Sequence, residues 1–172
     1  MAKIYPIVKY GDPVLARTAA IVTEFGTPEL KQLLADMFDS MIAANGVGLA
    51  APQIGISQRI AVIDCSPRDQ PPDRIVLINP EILHTAGKQS EEEGCLSLPG
   101  FRESVTRPMH VTVRAQDAEG RWFERTGEDL LARAFLHETD HLHGRLFLSH
   151  LSSLKREMIK RKVKKLQNEG EW

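Results

Sequence analysis

Residues 127–144, GEDLLARAFLHETDHLHG, decide how the rest of the chain is read. The spacing predicts a helix from about Gly127 to His143, with Gly144 as its stop. Leu130, Leu131, Ala134, Phe135 and Leu142 surround its two histidines, which implies a buried helix with a mostly apolar setting. On a helix His137 and His141 lie one turn apart on the same face, the geometry for gripping one metal ion. Glu138 then leans from that turn towards the ion's open position. Two imidazoles make half of a tetrahedral site, and a hydrolytic metal needs a third protein ligand and a water. The bland alternative is a hydrogen-bonded pair of core histidines with chance spacing. His84, His110, His143 and His150 have no comparable partner and read as surface residues.

Working outward, Thr27-Pro28-Glu29 opens an earlier helix with a hydroxyl cap, a proline in the first turn and an acid behind it. Leu30, Leu33, Leu34, Met37 and Met41 follow at helical spacing, and Asn45-Gly46 ends it. Short β-like runs come next: 59–63, then 74–78 ending at Asn79-Pro80. The proline-rich stretch 66–73 between them is a loop. Residues 111–115 and 122–125 flank Ala118-Glu119-Gly120 and predict a hairpin. A basic helix closes the chain over 151–167. The expected class is α+β: antiparallel sheets packed around a central helix that carries the histidines, with an N-terminal and a C-terminal helix, all in a single domain spanning 1–172.

The 172 residues suffice for one domain with a real core, and the 42% hydrophobic and 26% charged composition is that of an ordinary soluble protein. A net charge of -1 gives no general attraction to nucleic acid or acidic membranes. No apolar run reaches spanning length, and the opening Met1-Ala2-Lys3-Ile4-Tyr5-Pro6 lacks the apolar core of a signal peptide, so a cytoplasmic protein is expected. Cys65 and Cys95 are expected to stay reduced there, with Cys65 a passive thiol.

The third ligand has several candidates. One large class of zinc proteases continues the histidine motif with a glycine and a third histidine; Gly144 is in place, but Phe147 stands where that histidine belongs. Others recruit a later glutamate, for which this chain offers Glu157 and Glu169 in a helix dominated by lysine and arginine. Cys95, in Glu93-Gly94-Cys95-Leu96-Ser97, offers a thiolate, a strong ligand for a borderline-soft ion. Gly94 beside it permits close backbone approach.

Three motifs in order, Gly46-Val47-Gly48-Leu49-Ala50-Ala51-Pro52-Gln53, Glu93-Gly94-Cys95-Leu96-Ser97 and His137-Glu138-Thr139-Asp140-His141, resemble those of the peptide deformylases. The likeness runs from about Pro6 to Lys165. It implies that Cys95, His137 and His141 hold one divalent ion, natively Fe2+, with Zn2+, Ni2+ or Co2+ also acceptable to this donor set. By the same resemblance Glu138 is the general base and later the proton donor towards a metal-bound water. Gln53 and the Leu96 backbone N–H would bind the formyl oxygen, while Val47 and Gly48 would pair with the substrate backbone as an added strand. Arg102 would stand behind the site or on the substrate side, and Val47, Leu130, Arg133 and Ala134 would line the methionine pocket. The implied substrates are N-formylmethionyl nascent peptides, cleaved to formate and a free amine.

Leu136 stands where this family commonly has glutamine, and Glu91 where some members are apolar near the pocket. Both bear on pocket shape and neither on the ligands. Asp140 and Glu93 each admit two readings, an outer partner that orients a ligand or binds a cation, and a solvated charge. The closing helix carries Lys155, Arg156, Lys160, Arg161, Lys162, Lys164 and Lys165 beside an apolar stripe of Leu154, Met158, Ile159, Val163 and Leu166. It reads either as a docked surface helix or, by family resemblance, as a contact for ribosomal RNA. Competing functions are a metallopeptidase, disfavoured by Phe147, and a non-catalytic metal-binding or ribosome-associated protein, disfavoured by Glu138 and Gln53. No membrane is expected as a partner, and a monomer is assumed.

Overall fold

The computed structural model describes residues 3–172; Met1 and Ala2, part of the opening segment read above, lie outside the described residues. Its centre is a five-stranded antiparallel sheet in the order β1 (Gly48–Ala50), β2 (Ile60–Ile63), β3 (Ile75–Ala86), β6 (His110–Gln116), β7 (Trp122–Glu128). A separate hairpin pairs β4 (Gln89–Gly94) with β5 (Arg102–Arg107). Three helices complete the chain: α1 (Pro28–Ala43), α2 (Asp129–Leu142) and α3 (Ser153–Asn168). This is the expected α+β arrangement.

Strand alternation sorts the sheet's side chains onto two helices. Ala50, Ala61, Ile63, Ile75, Leu77, Val111, Val113 and Ala115 pack with Ala132, Phe135 and Leu142 of α2. The intervening Leu49, Ile60, Val62 and Ile78 face Leu30, Leu34, Met37, Phe38 and Met41 of α1. The central strands are therefore apolar on both faces, and α2 is pressed against the sheet between β1 and β7. The Thr27 hydroxyl caps α1 by accepting from the Leu30 N–H at 3.1 Å. Gly144 terminates α2 with φ of 75°, and a Cβ there would meet the Ala16 carbonyl oxygen at 2.7 Å. Glycine is thus required on both conformational and steric grounds.

Two expectations are corrected. The strand expected to stop at Asn79-Pro80 continues to Ala86 through a register shift between Ile78 and Glu81. Proline has no N–H for a ladder, and the bulge is where a strand tolerates it. Asn79 holds the bend with φ of 51°, its side chain accepting from Val22 N–H at 2.9 Å and donating to Gln116 Oε1 at 2.7 Å. The apolar stripe of α3 is also narrower than expected. Ile159 and Val163 dock against Leu98, Val105, Phe147 and Leu148, whereas Leu154 and Met158 face solvent. Among the described residues no helix is long and apolar enough to cross a membrane.

Candidate metal centre

Three segments converge at one end of α2. The last residues of β4 deliver Cys95, the turn Ala51–Ile54 after β1 delivers Gln53, and α2 presents His137, Glu138 and His141. The Cys95 thiol lies 3.3 Å from His141 Nε2, which lies 3.2 Å from His137 Nε2. All three donor atoms fall within 4.8 Å of one another. Nitrogen and sulfur ligands at ordinary bond lengths around a tetrahedral ion stand about 3.3–3.6 Å apart, so these separations suit one shared ion. Two imidazole nitrogens and a sulfur turned inward on one another, with His141 fully buried, are the donor set of a borderline-soft divalent metal.

The setting of the histidines is charged, not mostly apolar as expected. Glu93 of β4, 4% exposed, takes four hydrogen bonds. Arg107 of β5 donates Nε to Oε1 at 2.9 Å and Nη2 to Oε2 at 2.7 Å. Arg133 Nη1 donates to Oε1 at 2.8 Å, and His137 Nδ1 donates to Oε2 at 2.7 Å. With Nδ1–H so engaged, the Nε2 lone pair of His137 is turned to the ligand cluster. Burial opposes ionisation of Glu93, but the bonds from His137 and Arg107 outweigh it and hold the carboxyl well below the usual range. Arg107 also reaches Asp140 at 2.9 Å, so both residues given two readings, Glu93 and Asp140, are cation partners.

Glu138 is 2% exposed, and burial pushes its carboxyl up to about 7 despite the attraction of His137. Its Oε1 has no hydrogen-bond partner among the described residues. A Cβ on Gly48 would stand 2.8 Å from Glu138 Oε2, so only glycine lets the edge of the sheet approach this carboxyl. Burial drives His141 well below its ordinary value. For His137 burial acts in the same direction, yet Glu138, Cys95 and Glu93 raise it on balance. The Gln53 amide is pinned at both ends: Oε1 accepts from Ala50 N–H at 3.0 Å, and Nε2 donates to Ser97 Oγ at 3.2 Å and faces the Cys95 sulfur at 3.6 Å.

A cavity of about 530 Å³ opens beside the cluster, lined by Val47, Gly48, Gln53, Leu96, Leu130, Ala134, His137 and Glu138, among others. The structure thus gathers the three donors, Glu138, Gln53, Leu96 and the pocket residues in one place, whereas Glu157 and Glu169, the other third-ligand candidates, pair with Lys160 and Lys165 at α3. Arg102 and Arg133 also line the cavity, but differently from each other. Arg133 is buried with its guanidinium on Glu93, leaving its stem for the cavity wall, while Arg102 is exposed and sits against Glu92 at the rim. Arg107, Ser97 and the contact of His150 with Asp140 at 2.9 Å were not singled out from sequence. The only available signal for Arg107 was that a buried Glu93 needs a cation. Both cysteines are free, and burial pushes the Cys65 thiol up to about 12, consistent with a passive group.

Comparisons with known proteins agree with this geometry. The family model described as polypeptide deformylase matches residues 4–157. A peptide deformylase of Acidobacterium capsulatum is 59% identical over 98% of this chain and 99% of its own length. The crystal structure of a peptide deformylase from Legionella pneumophila superposes with a TM-score of 0.88 at 46% identity, covering 96% of each chain. A class I type b peptide deformylase from Acinetobacter baumannii, solved with Met-Ala-Ser bound, gives a TM-score of 0.82 at 36% identity over 88% of this chain and 100% of that one. With a buried Cys-His-His donor set beside a cavity, and relatives matched along nearly their full length, the chain belongs to the polypeptide deformylase family and is a metal-dependent hydrolase of that class.

Proposed function

We propose that residues 1–172 form one catalytic domain that removes the formyl group from the N-terminal methionine of new polypeptides, in the cytoplasm and as a monomer. The observation that carries this reading is a buried carboxyl, Glu138, that lines the same cavity as Cys95 and His137, two of the three clustered metal donors. Cys95, His137 and His141 would hold the ion. When bound, a divalent ion lowers the pKa of a coordinated water towards neutrality and polarises a carbonyl oxygen.

The chain's own residues supply the rest. The Glu138 carboxylate takes a proton from the attacking water and returns it to the departing amine. One C–O bond forms, the C–N bond breaks, and formate leaves the free amino terminus. Negative charge gathers on the formyl oxygen as its carbon becomes tetrahedral; Gln53 Nε2 and the Leu96 N–H are the donors for it. Val47 and Gly48 lie at the open edge of β1, where an extended peptide adds as a strand. Val47, Leu130, Ala134 and the stem of Arg133 take the methionine side chain, and Arg102 faces the peptide beyond it. The Met-Ala-Ser bound to the Acinetobacter baumannii relative is the product such a substrate would leave. The exposed basic side chains of α3 form the surface for ribosomal RNA.

Mixing anaerobically purified, metal-quantified protein with formyl-Met-Ala-Ser should release one formate per new amine. No formate despite one bound ion per chain would overturn the reading. We assign Fe2+ as the native ion. Zn2+, Ni2+ and Co2+ suit the same donors, and raw affinity favours zinc over ferrous iron. Iron-loaded protein should lose activity on exposure to air, while zinc-loaded protein keeps what it has. Undiminished turnover by the iron form after prolonged aeration would count against that assignment.

A further inference from the structure

We propose that His150, which does not line the cavity, is a positioning residue for the metal donors, an inference that rests on the metal site assigned above. Arg107 is a clamp between two elements that must keep a fixed spacing. Its Nε and Nη2 are spent on Glu93, two residues before Cys95 at the end of β4, and its Nη1 on Asp140 Oδ2 of α2 at 2.9 Å. Asp140 lies three residues after His137 and next to His141. One guanidinium therefore ties the strand that delivers the sulfur to the helix that delivers both imidazoles. Glu93 passes the constraint on by accepting from His137 Nδ1 at 2.7 Å.

His150, in the 3-10 turn Phe147–His150, closes this chain from outside. Its Nε2 is 2.9 Å from Asp140 Oδ2, the oxygen that Arg107 uses, and 3.3 Å from Arg107 Nη1. The shorter contact sets the tautomer, and the approach to Arg107 Nη1 is then between two donors that share one acceptor oxygen. A lone pair on Nε2 would face the carboxylate oxygen at 2.9 Å, acceptor against acceptor, so Nε2 carries the hydrogen and donates to Asp140. Asp140 Oδ2 is then held by two donors, Arg107 Nη1 and His150 Nε2, which stand 3.3 Å apart and converge on it from neighbouring directions. Without His150 that oxygen would be open to water, and the carboxylate could turn from Arg107. With a side chain 37% exposed, His150 contributes little to the core, so its worth lies in this bond.

The outer partners of metal ligands typically matter about 10–100-fold in metal affinity, and a residue acting through two further groups should matter less, about 3–10-fold. The test compares wild type, His150→Gln, which keeps an N–H at similar reach, and His150→Phe, which fills the space without a donor. Each is loaded with Co2+, and loss of the cysteine-to-cobalt charge-transfer absorption to a chelator is timed, beside thermal unfolding of the metal-free forms. The expected result is release accelerated about 3–10-fold in H150F and within about 2-fold of wild type in H150Q, with metal-free H150Q and H150F unfolding alike. Equal release from H150F and wild type, or equal acceleration in both variants, would overturn the inference alone. A wild type that binds no cobalt through sulfur would overturn the metal assignment and this inference with it.

Discussion

Glu138→Gln should abolish formate release, lowering kcat by about 10²–10⁴-fold while the bound metal stays in place, because glutamine keeps the shape but cannot take a proton. The same substitution should make the metal-free protein more stable at neutral to alkaline pH. Burial raises the Glu138 carboxyl from 4.5 to about 7 in the folded chain. A raised carboxyl binds its proton more tightly folded than unfolded. The penalty is therefore absent below the unfolded value, grows as pH rises from 4.5 towards 7, and is complete above it. At 1.36 kcal/mol per pH unit the full penalty is about 3 kcal/mol. Urea unfolding of metal-free wild type and E138Q at pH 5 and pH 8 measures it, and the advantage of E138Q should be larger at pH 8. An advantage that does not change with pH would mean the carboxyl is not held in a desolvated site. Together the two readouts identify a group whose buried placement costs stability and serves proton transfer.

The legible parts of the fold were those whose inward positions are apolar. The two core helices announced themselves by spacing, and β2, β6 and β7 by β-branched runs or alternation. Hairpin β4–β5 did not. Its buried positions include Gln89, Glu93 and Arg107, and its outward ones carry Glu91, Glu92 and Arg102, so polarity does not alternate along it. A strand whose inward residues are charged is invisible to a hydrophobic period. The metal donors were legible one motif at a time, yet nothing in residue spacing says that Cys95 and His141 meet across 46 residues. Arg107, which bonds Glu93 and Asp140 beside those two donors, is a lone arginine in a polar run and carries no signal of its own. For the same reason His150 read as a surface histidine: its partner Asp140 is ten residues away, and a 3-10 turn bends the chain back to it.

Removing one member of the charged network behind the donors should be among the most destabilising substitutions outside the apolar core, and Glu93→Gln tests it. The substitution leaves two guanidinium groups, Arg107 and Arg133, buried at 3% and 5% exposure beside a neutral amide. Removing one partner of a buried pair typically costs about 3–5 kcal/mol, since the remaining charge stays desolvated. Here Asp140 still neutralises Arg107, whereas Arg133 Nη2 has no partner among the described residues even in the native chain, so the loss should fall near that range. Burial works against the Glu93 carboxylate, but its bonds from His137 and Arg107 leave it well below 4.5. A depressed carboxyl contributes stability that is present above the unfolded value and lost as pH falls towards the folded one. Metal-free wild type should therefore lose stability steeply below about pH 4.5, and E93Q, already lacking that contribution, should decline less steeply there. Urea unfolding at pH 7 and pH 4 reads both effects. A cost under about 1 kcal/mol at pH 7 would place the network in the range of solvent-screened surface pairs. It would also leave the burial of Glu93, the one of the three consecutive acids Glu91, Glu92 and Glu93 that turns inward, without an energetic reason. The steep outcome would instead tie folding and chemistry together, since the carboxylate that anchors two arginines also fixes the ring of His137.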